Sequence, residues 1–553
     1  MSACGDDGES DAEVAGRVSV FNSDKEEGPP KSGGAWQTAV VGDPPSLDPY
    51  RAQSIVTQAS VGAFVYSRLM KHETGPGSSP SLPKYKGDLA ESYEISPDGA
   101  NYTFKLRQGV KFHNVPPVSG RTLEAQDVIT SHNRFVSIAP QAGAVKNLVE
   151  NVSAPDSRTV VYKLVSPNAN FINTVTQPLL FWVMPKEQGA GWDPQEKTIG
   201  TGPWLLTDFV PSSRMEYKRN PEYCERDVPY MDGVDAFVIL ETVARLAQFR
   251  AGSIYSFTPS QLGDFTSLYE ANSKLRVLKD DIGTGAGGVA FGRGDPNSPF
   301  LKDARIRRAV SLAIDRDTLI EAINDYDNWR RLGLEREYRL INFVPANDLR
   351  WWTDPRGKEM GDQAKWFQYD VAEAKKLMAA AGYANGFETE MRFASGVVPP
   401  PYQDQVTFIA DQLNSIGIKV RLVPEDYATG WNPRSWAGES PGITYGNWQA
   451  FGDPDLSLDY LFGKGSRNQM RIDDPVFNQM YAHQSVERDE KRRRMLLIDM
   501  YKHLAEDMRH VPVSALSIAG HTMSQPFVRN DWVYRTTGSG AATETLTRVW
   551  LDL

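Results

Sequence analysis

Apolar and polar positions alternate most cleanly between Glu91 and Phe112. In ESYEISPDGANYTFKLRQGVKF, Tyr93 and Ile95, then Tyr102, Phe104 and Leu106, occupy every second position on either side of the turn SPDG. Strand side chains point to opposite faces in turn, so this pattern predicts a β-hairpin, with Pro97 presetting φ and Gly99 tolerating positive φ. AWQTAVVGDPP (35–45) predicts a strand running into a turn, and SLDPYRAQSIVTQASVGAFVYSRLM an amphipathic helix, because Ile55, Ala59, Ala63 and Tyr66 recur at helical spacing. A Gly/Pro/Ser loop follows at 74–87. TLEAQDVITSHNRFV predicts a helix capped by Thr122, with an apolar stripe at Val128, Ile129 and Phe135. Further on, DARIRRAVSLAIDRDTLIEAI, DVAEAKKLMAAAG and EKRRRMLLIDMYKHLAED carry helical periodicity, and IKVRLVPED reads as a strand. Strands alternating with helices, with no fixed-period repeat, predict α/β lobes.

The chain has 553 residues, too many for one hydrophobic core, so two or three units are expected. With 40% hydrophobic and 24% charged residues it has a globular composition. No run reaches the ~18 apolar residues of a membrane-spanning helix. The 60 Lys and Arg against 70 Asp and Glu give a net charge of −10, which disfavours a nucleic-acid partner. The basic run Lys491 to Arg494 follows Glu487, Asp489 and Glu490 and reads as a solvated helix face. Cys4, in MSACGDDGESDAE, resembles the acylation point of a bacterial lipoprotein signal. Acylated there, residues 1–34 are a disordered tether, and membrane contact is by the lipid anchor only.

Catalytic motifs are poorly supported. GESPG (438–442) has the letters of a nucleophile elbow, but Pro441 follows Ser440 where a helix should begin. GTGAGG (283–288) lacks the Lys and Ser/Thr of a phosphate cradle and reads as a flexible turn. DYDNW (325–329) lacks the glycine and terminal glutamate of a calcium loop. The seven histidines form no metal-ligand pair, so neither a metal nor a cofactor is implied, and no nucleophile, base and orienter can be nominated.

Several segments, in order, resemble the family 5 extracellular solute-binding proteins, which include peptide, nickel and oligosaccharide receptors of ABC transporters. DLAESYEISPDGANYTFKLRQGVKFHN with AQDVITSHNRF is similar to the family's core signature. IGTGPWLLTDFVPSSRMEYKRNPEY resembles its GTGPY strand and RNPDY turn, with Cys224 where Trp is usual and therefore read as a packing residue. ARIRRAVSLAIDRDTLI, YDVAEAKKLMAAAGYANGF and LNSIGIKVRLV resemble further landmarks.

The resemblance implies a two-lobed α/β periplasmic-binding-protein fold of type II, with mixed sheets, an extra subdomain and a hinge between lobes. Lobe I is expected over 35–290 with a subdomain at about 85–195, lobe II over 291–514, and a return to lobe I over 515–553. The crossings are expected near Val289 to Gly292 and Val511 to Leu516. Aromatic residues, an arginine and paired aspartates crowd Glu425 to Asp455, so Tyr427, Trp431, Arg434, Trp436, Tyr445, Asn447, Trp448, Phe451 and Asp453 are the candidate ligand contacts. Peptide-binding relatives carry an aspartate three residues after the Trp of this motif. Here that position is Phe451, and Asp453 replaces it only if the loop is reshaped.

The implied function is capture of a peptide or peptide-like solute for an ABC permease and its ATPase subunits. The protein would be a monomer, periplasmic or at the cell surface, anchored through Cys4, and not an enzyme. The alternatives are a receptor for an oligosaccharide or other neutral or aromatic solute, a hydrolase using Asp453, and a chaperone-like surface protein.

Overall fold

The computed structural model describes residues 18–21, 25–51, 54–140, 142–177, 180–188, 191–283, 286–395, 400–448, 453–464, 468–513, 519–536 and 542–553. The chain enters through the two-residue strand β1 (Val20–Phe21) and then β2 (Ala35–Val40), and the ribbon β3 (Met70–His72) and β4 (Tyr85–Gly87) follows. A subdomain comes next: β5 (Ala90–Ile95), β6 (Asn101–Leu106), β7 (Val149–Asp156) and β8 (Thr159–Leu164), in the order β5-β6-β8-β7. The predicted hairpin is β5–β6, with Ile95 opposite Tyr102 and with Tyr102, Phe104 and Leu106 fully buried. The helix Ala125–Ile138 covers this sheet. Its cap is Glu124, not Thr122: the Asp127 side chain accepts from the Glu124 backbone N–H at 2.8 Å and completes a capping box.

Strands β9 (Trp204–Val210), β10 (Arg214–Arg219) and β11 (Gly233–Val238) then join β2 in the order β2-β11-β10-β9. Strands β12 (Ser256–Phe257) and β13 (Arg276–Lys279) belong to another small sheet. The chain then crosses into the second lobe, a five-stranded sheet of β14 (Ala286–Phe291), β15 (Phe387–Ser395), β16 (Ile418–Asp426), β17 (Ile443–Trp448) and β18 (His510–Pro512), ordered β16-β15-β17-β14-β18. It returns as β19 (His521–Ser524), which pairs with β13 and β12, and ends in the ribbon β20 (Val528–Arg529) and β21 (Trp550–Leu551). The α/β class and the two-lobed, mixed-sheet fold read from the sequence are borne out.

Several local expectations need correction. Residue 290, expected at a lobe boundary, lies inside β14, which is bonded on both sides within the five-stranded sheet. The crossings therefore fall before Ala286 and after Val513. Part of GTGAGG is strand rather than turn, and a Cβ on Gly288 would sit 2.2 Å from the Val511 carbonyl oxygen, so close strand approach accounts for that glycine. The tether expected to reach residue 34 is docked over its later part: the Glu27 carboxylate accepts two hydrogen bonds from Arg276, and Glu26 pairs with Tyr534. Cys4 lies outside the described residues. The helix expected over 303–323 is two helices, Ala304–Ala313 and Arg316–Asn324, because Asp315 caps the second through the Thr318 N–H at 3.1 Å.

A third tie between the lobes is non-covalent. The helix Tyr326–Arg331 leaves the second lobe and buries Trp329 in first-lobe packing, 5.1 Å from Phe265 and stacked on His521 at 5.7 Å. The Arg336 guanidinium lies 3.8 Å from the Trp329 ring centroid. DYDNW thus serves packing.

Candidate functional site

The segment expected to hold the ligand begins at the end of β16. Trp431 is buried, donates from Nε1 to the Tyr445 carbonyl at 3.2 Å, and packs so tightly on Gly446 that a Cβ there would meet its ring at 2.1 Å. Tyr445 is buried as well, its hydroxyl hydrogen-bonded to Gln405 Oε1 at 2.6 Å. Both rings pack in the second-lobe core, as large apolar side chains on a strand and a buried turn do. Tyr427 is exposed and stacks on Trp431 at 5.6 Å, and Arg434 is exposed. Asn447 and Trp448 end β17, with Trp448 opposite Ala286 beside the first crossing. Phe451 and the side chains of Trp436, Asn447 and Trp448 lie outside the described residues.

Asp453 is not available as an amine anchor. Arg493 grips it from two sides, Nη2 to Oδ1 at 2.6 Å and Nη1 to Oδ2 at 2.7 Å, and the same carboxylate caps the helix Pro454–Phe462. Arg493 in turn lies 4.4 Å from the centroid of the Trp351 ring. The basic run 491–494 is therefore not wholly a solvated face: Arg493 is buried, while Arg492 and Arg494 pair with Glu487 and Glu359. Next to this pair, Asp455 accepts from Gln484 and, across the lobes, from Asn168 Nδ2 at 3.1 Å. Burial, and then the neighbouring Asp453, push the Asp455 carboxyl above its ordinary value.

A cavity of about 750 Å³ lies elsewhere, and its lining comes from the first lobe and the first crossing. Trp36, Thr38, Ala39 and Val40 of β2 line it. Phe64 adds a second ring, stacked on Tyr217 at 4.9 Å. The crossing contributes Asp280, Asp281 and Gly283, and the return segment contributes Asp531, Trp532 and Arg535. The Thr522 hydroxyl donates to Asp280 Oδ2 at 3.1 Å, and burial pushes this carboxyl up to about 6. The Asp280 N–H donates to the Gly520 carbonyl at 3.0 Å, so the two crossings are tied at this point. Asp281 is paired with Arg535 Nε at 2.6 Å, and Arg535 stacks on Trp532 at 3.9 Å.

None of the nine expected contact residues is among the described lining of this cavity. Its carboxylates were missed because DDIG and NDW carry no motif. The available signal was their position: adjacent acids immediately before a Gly-rich run at a lobe crossing.

Ser440 is buried, and its hydroxyl donates to the Ile443 carbonyl at 3.2 Å just before β17, which is not the geometry of a nucleophile elbow. The Cys224 thiol is pushed up to about 12 by burial, as suits a packing residue.

The chain matches the model of the bacterial extracellular solute-binding proteins, family 5 middle, over residues 84–469. It is 26% identical over 440 residues to heme-binding protein A of Haemophilus influenzae, covering 75% of each chain. It is 24% identical over 518 residues to a dipeptide-binding protein of Pseudomonas aeruginosa, covering 88% of this chain and 90% of that one. Among solved structures it resembles the periplasmic binding protein DppA of Helicobacter pylori in complex with the peptide STSA, with a TM-score of 0.76 at 23% identity, covering 95% of this chain and 99% of that one.

Proposed function

This chain belongs to the family 5 bacterial extracellular solute-binding proteins, and from that premise we propose that it is the receptor of an ABC importer for short peptides or peptide-like solutes. It captures the solute between its lobes and hands it to the permease and ATPase subunits, without chemical turnover. The observation that carries this reading is the cavity of about 750 Å³ beside the two crossings. Its size falls within the roughly 300–1,000 Å³ of small-ligand sites, and it combines aromatic walls with a few polar groups. A hinge made of two tied crossings suits closure around a solute. The names of its relatives, several of them dipeptide or di/tripeptide receptors, favour the same solute class.

The protein acts outside the cytoplasm as a monomer, tethered through an acylated Cys4. Among the described residues no helix is long and apolar enough to cross a membrane, and a lipid anchor needs none.

The test is thermal unfolding with a pool of short peptides and, separately, of oligosaccharides. A ligand at about 100 times its dissociation constant stabilises by about 2.7 kcal/mol, a measurable shift in Tm. Peptides are expected to shift it. A shift by oligosaccharides alone would replace this reading with a second one, a receptor for neutral or aromatic solutes. That second reading draws on the pairing of Asp453 with Arg493 and on the Trp36 and Phe64 rings of the cavity.

A further inference from the structure

The described charged groups lining the cavity are unbalanced. Three carboxylates, Asp280, Asp281 and Asp531, face one guanidinium, Arg535, and no lysine. Arg535 is committed to Asp281. That leaves Asp280 and Asp531 in a cavity otherwise walled largely by rings and aliphatic side chains. Asp531 is nine-tenths buried: its Oδ1 accepts from Arg276 at 3.1 Å, but its Oδ2 is buried with no hydrogen-bond partner among the described residues. A buried carboxylate oxygen without a donor is costly, and native proteins rarely leave one so. Arg276 does not serve it: both its Nη groups bond Glu27, and its Nε makes no hydrogen bond among the described residues. Asp280 has the Thr522 hydroxyl as its side-chain donor. The cation that faces it from outside the lining, Arg336, is stacked on Trp329 and bonded to the Asn324 carbonyl.

We propose that Asp280 and Asp531 form a subsite for the primary ammonium group of the solute, built from the crossing and the return segment rather than from the second-lobe segment that ends in Asp453. An ammonium supplies three N–H donors and one positive charge, which matches two under-satisfied carboxylates better than water does. The subsite rests on the peptide-receptor reading and deepens it by requiring a free amine. A peptide N-terminus and a lysine side chain share that chemistry, so the probes separate them.

The experiment is calorimetric titration of the full chain and of Asp280→Asn and Asp531→Asn with three probes: the tripeptide Ala-Phe-Ala, its N-acetylated form, and N-acetyl-Lys-Phe-Ala. Acetylation of the first probe is expected to weaken wild-type binding about 10-fold or more, the scale of a charge-assisted hydrogen bond. The same change is expected to matter less than about 3-fold in both variants, each checked for an unchanged fold by its circular-dichroism spectrum. Recovery of affinity with the lysine probe would assign the subsite to side-chain amines, and no recovery would assign it to the N-terminus. Equal wild-type binding of free and acetylated Ala-Phe-Ala would overturn the subsite and leave the peptide reading standing. Sensitivity to acetylation that persists in both variants would also overturn it. Binding of none of the probes would sink the peptide reading and this subsite with it.

Discussion

Two buried acidic groups of this protein have opposite surroundings. Asp453 and Asp455, in the most aromatic stretch of the chain, are fully engaged: Arg493 grips the first, and Gln484 and Asn168 serve the second. Asp280 and Asp531, in stretches with no motif, have a hydroxyl and a shared guanidinium, and one oxygen goes without. The first group is architecture, holding the Pro454–Phe462 helix against the first lobe. The second has the incomplete coordination expected of a site that completes itself with a ligand. The lesson is that aromatic density and paired aspartates do not by themselves mark a binding site. Here the carboxylate with an oxygen left unpaired is one that lines a cavity.

The largest expected effect that sharpens the contrast is on the architectural side. Arg493→Ala leaves Asp453 buried and unpaired, and urea unfolding is expected to report a loss of about 3–5 kcal/mol. Loss of less than about 1 kcal/mol would make the pair dispensable and undo the comparison.

Asp280→Asn is expected to act in the other direction. The folded carboxyl is raised from 3.8 to about 6. Its stabilising contribution is therefore complete below the lower value and lost as pH rises through the upper one. The charged and titratable groups facing it are Asp281, Arg336 and Arg535, with the Thr522 hydroxyl as its donor. At pH 8 the variant should match or exceed the wild type by about 1–2 kcal/mol while binding amines less well. That advantage should shrink as pH falls below about 6, a trend checked by Tm at several pH values.

The smallest effect tests the link between lobes. Asn168→Ala removes the donor that reaches Asp455 from the first lobe. A loss of about 1 kcal/mol is expected. The radius of gyration from small-angle scattering should increase as the open form gains population. An unchanged radius would mean that this contact does not bias the lobes.

Much of the fold was legible because its signals are local. The SPDG hairpin and the periodicity of the helices Val371–Ala380 and Glu490–Asp507 rest on residues a few positions apart. Where a short segment has two local readings, the pattern fails: Asp315 both continues an apolar periodicity and caps a new helix, and the cap prevails.

The site was less legible, for a different reason. Arg493 looked solvated beside Lys491 and Arg494, and only the arrival of Asp453 from 40 positions away buries it. Asp280 and Asp531 are 251 positions apart by number and line one cavity only because the chain leaves the first lobe at one and has returned to it by the other. The sequence alone determined most of the element types, the α/β class and the family resemblance, since periodicity, caps and turns act over a few residues. Tertiary structure alone decided which carboxylates are paired and which are left facing a cavity, because burial and charge pairing depend on neighbours that the chain supplies from far away.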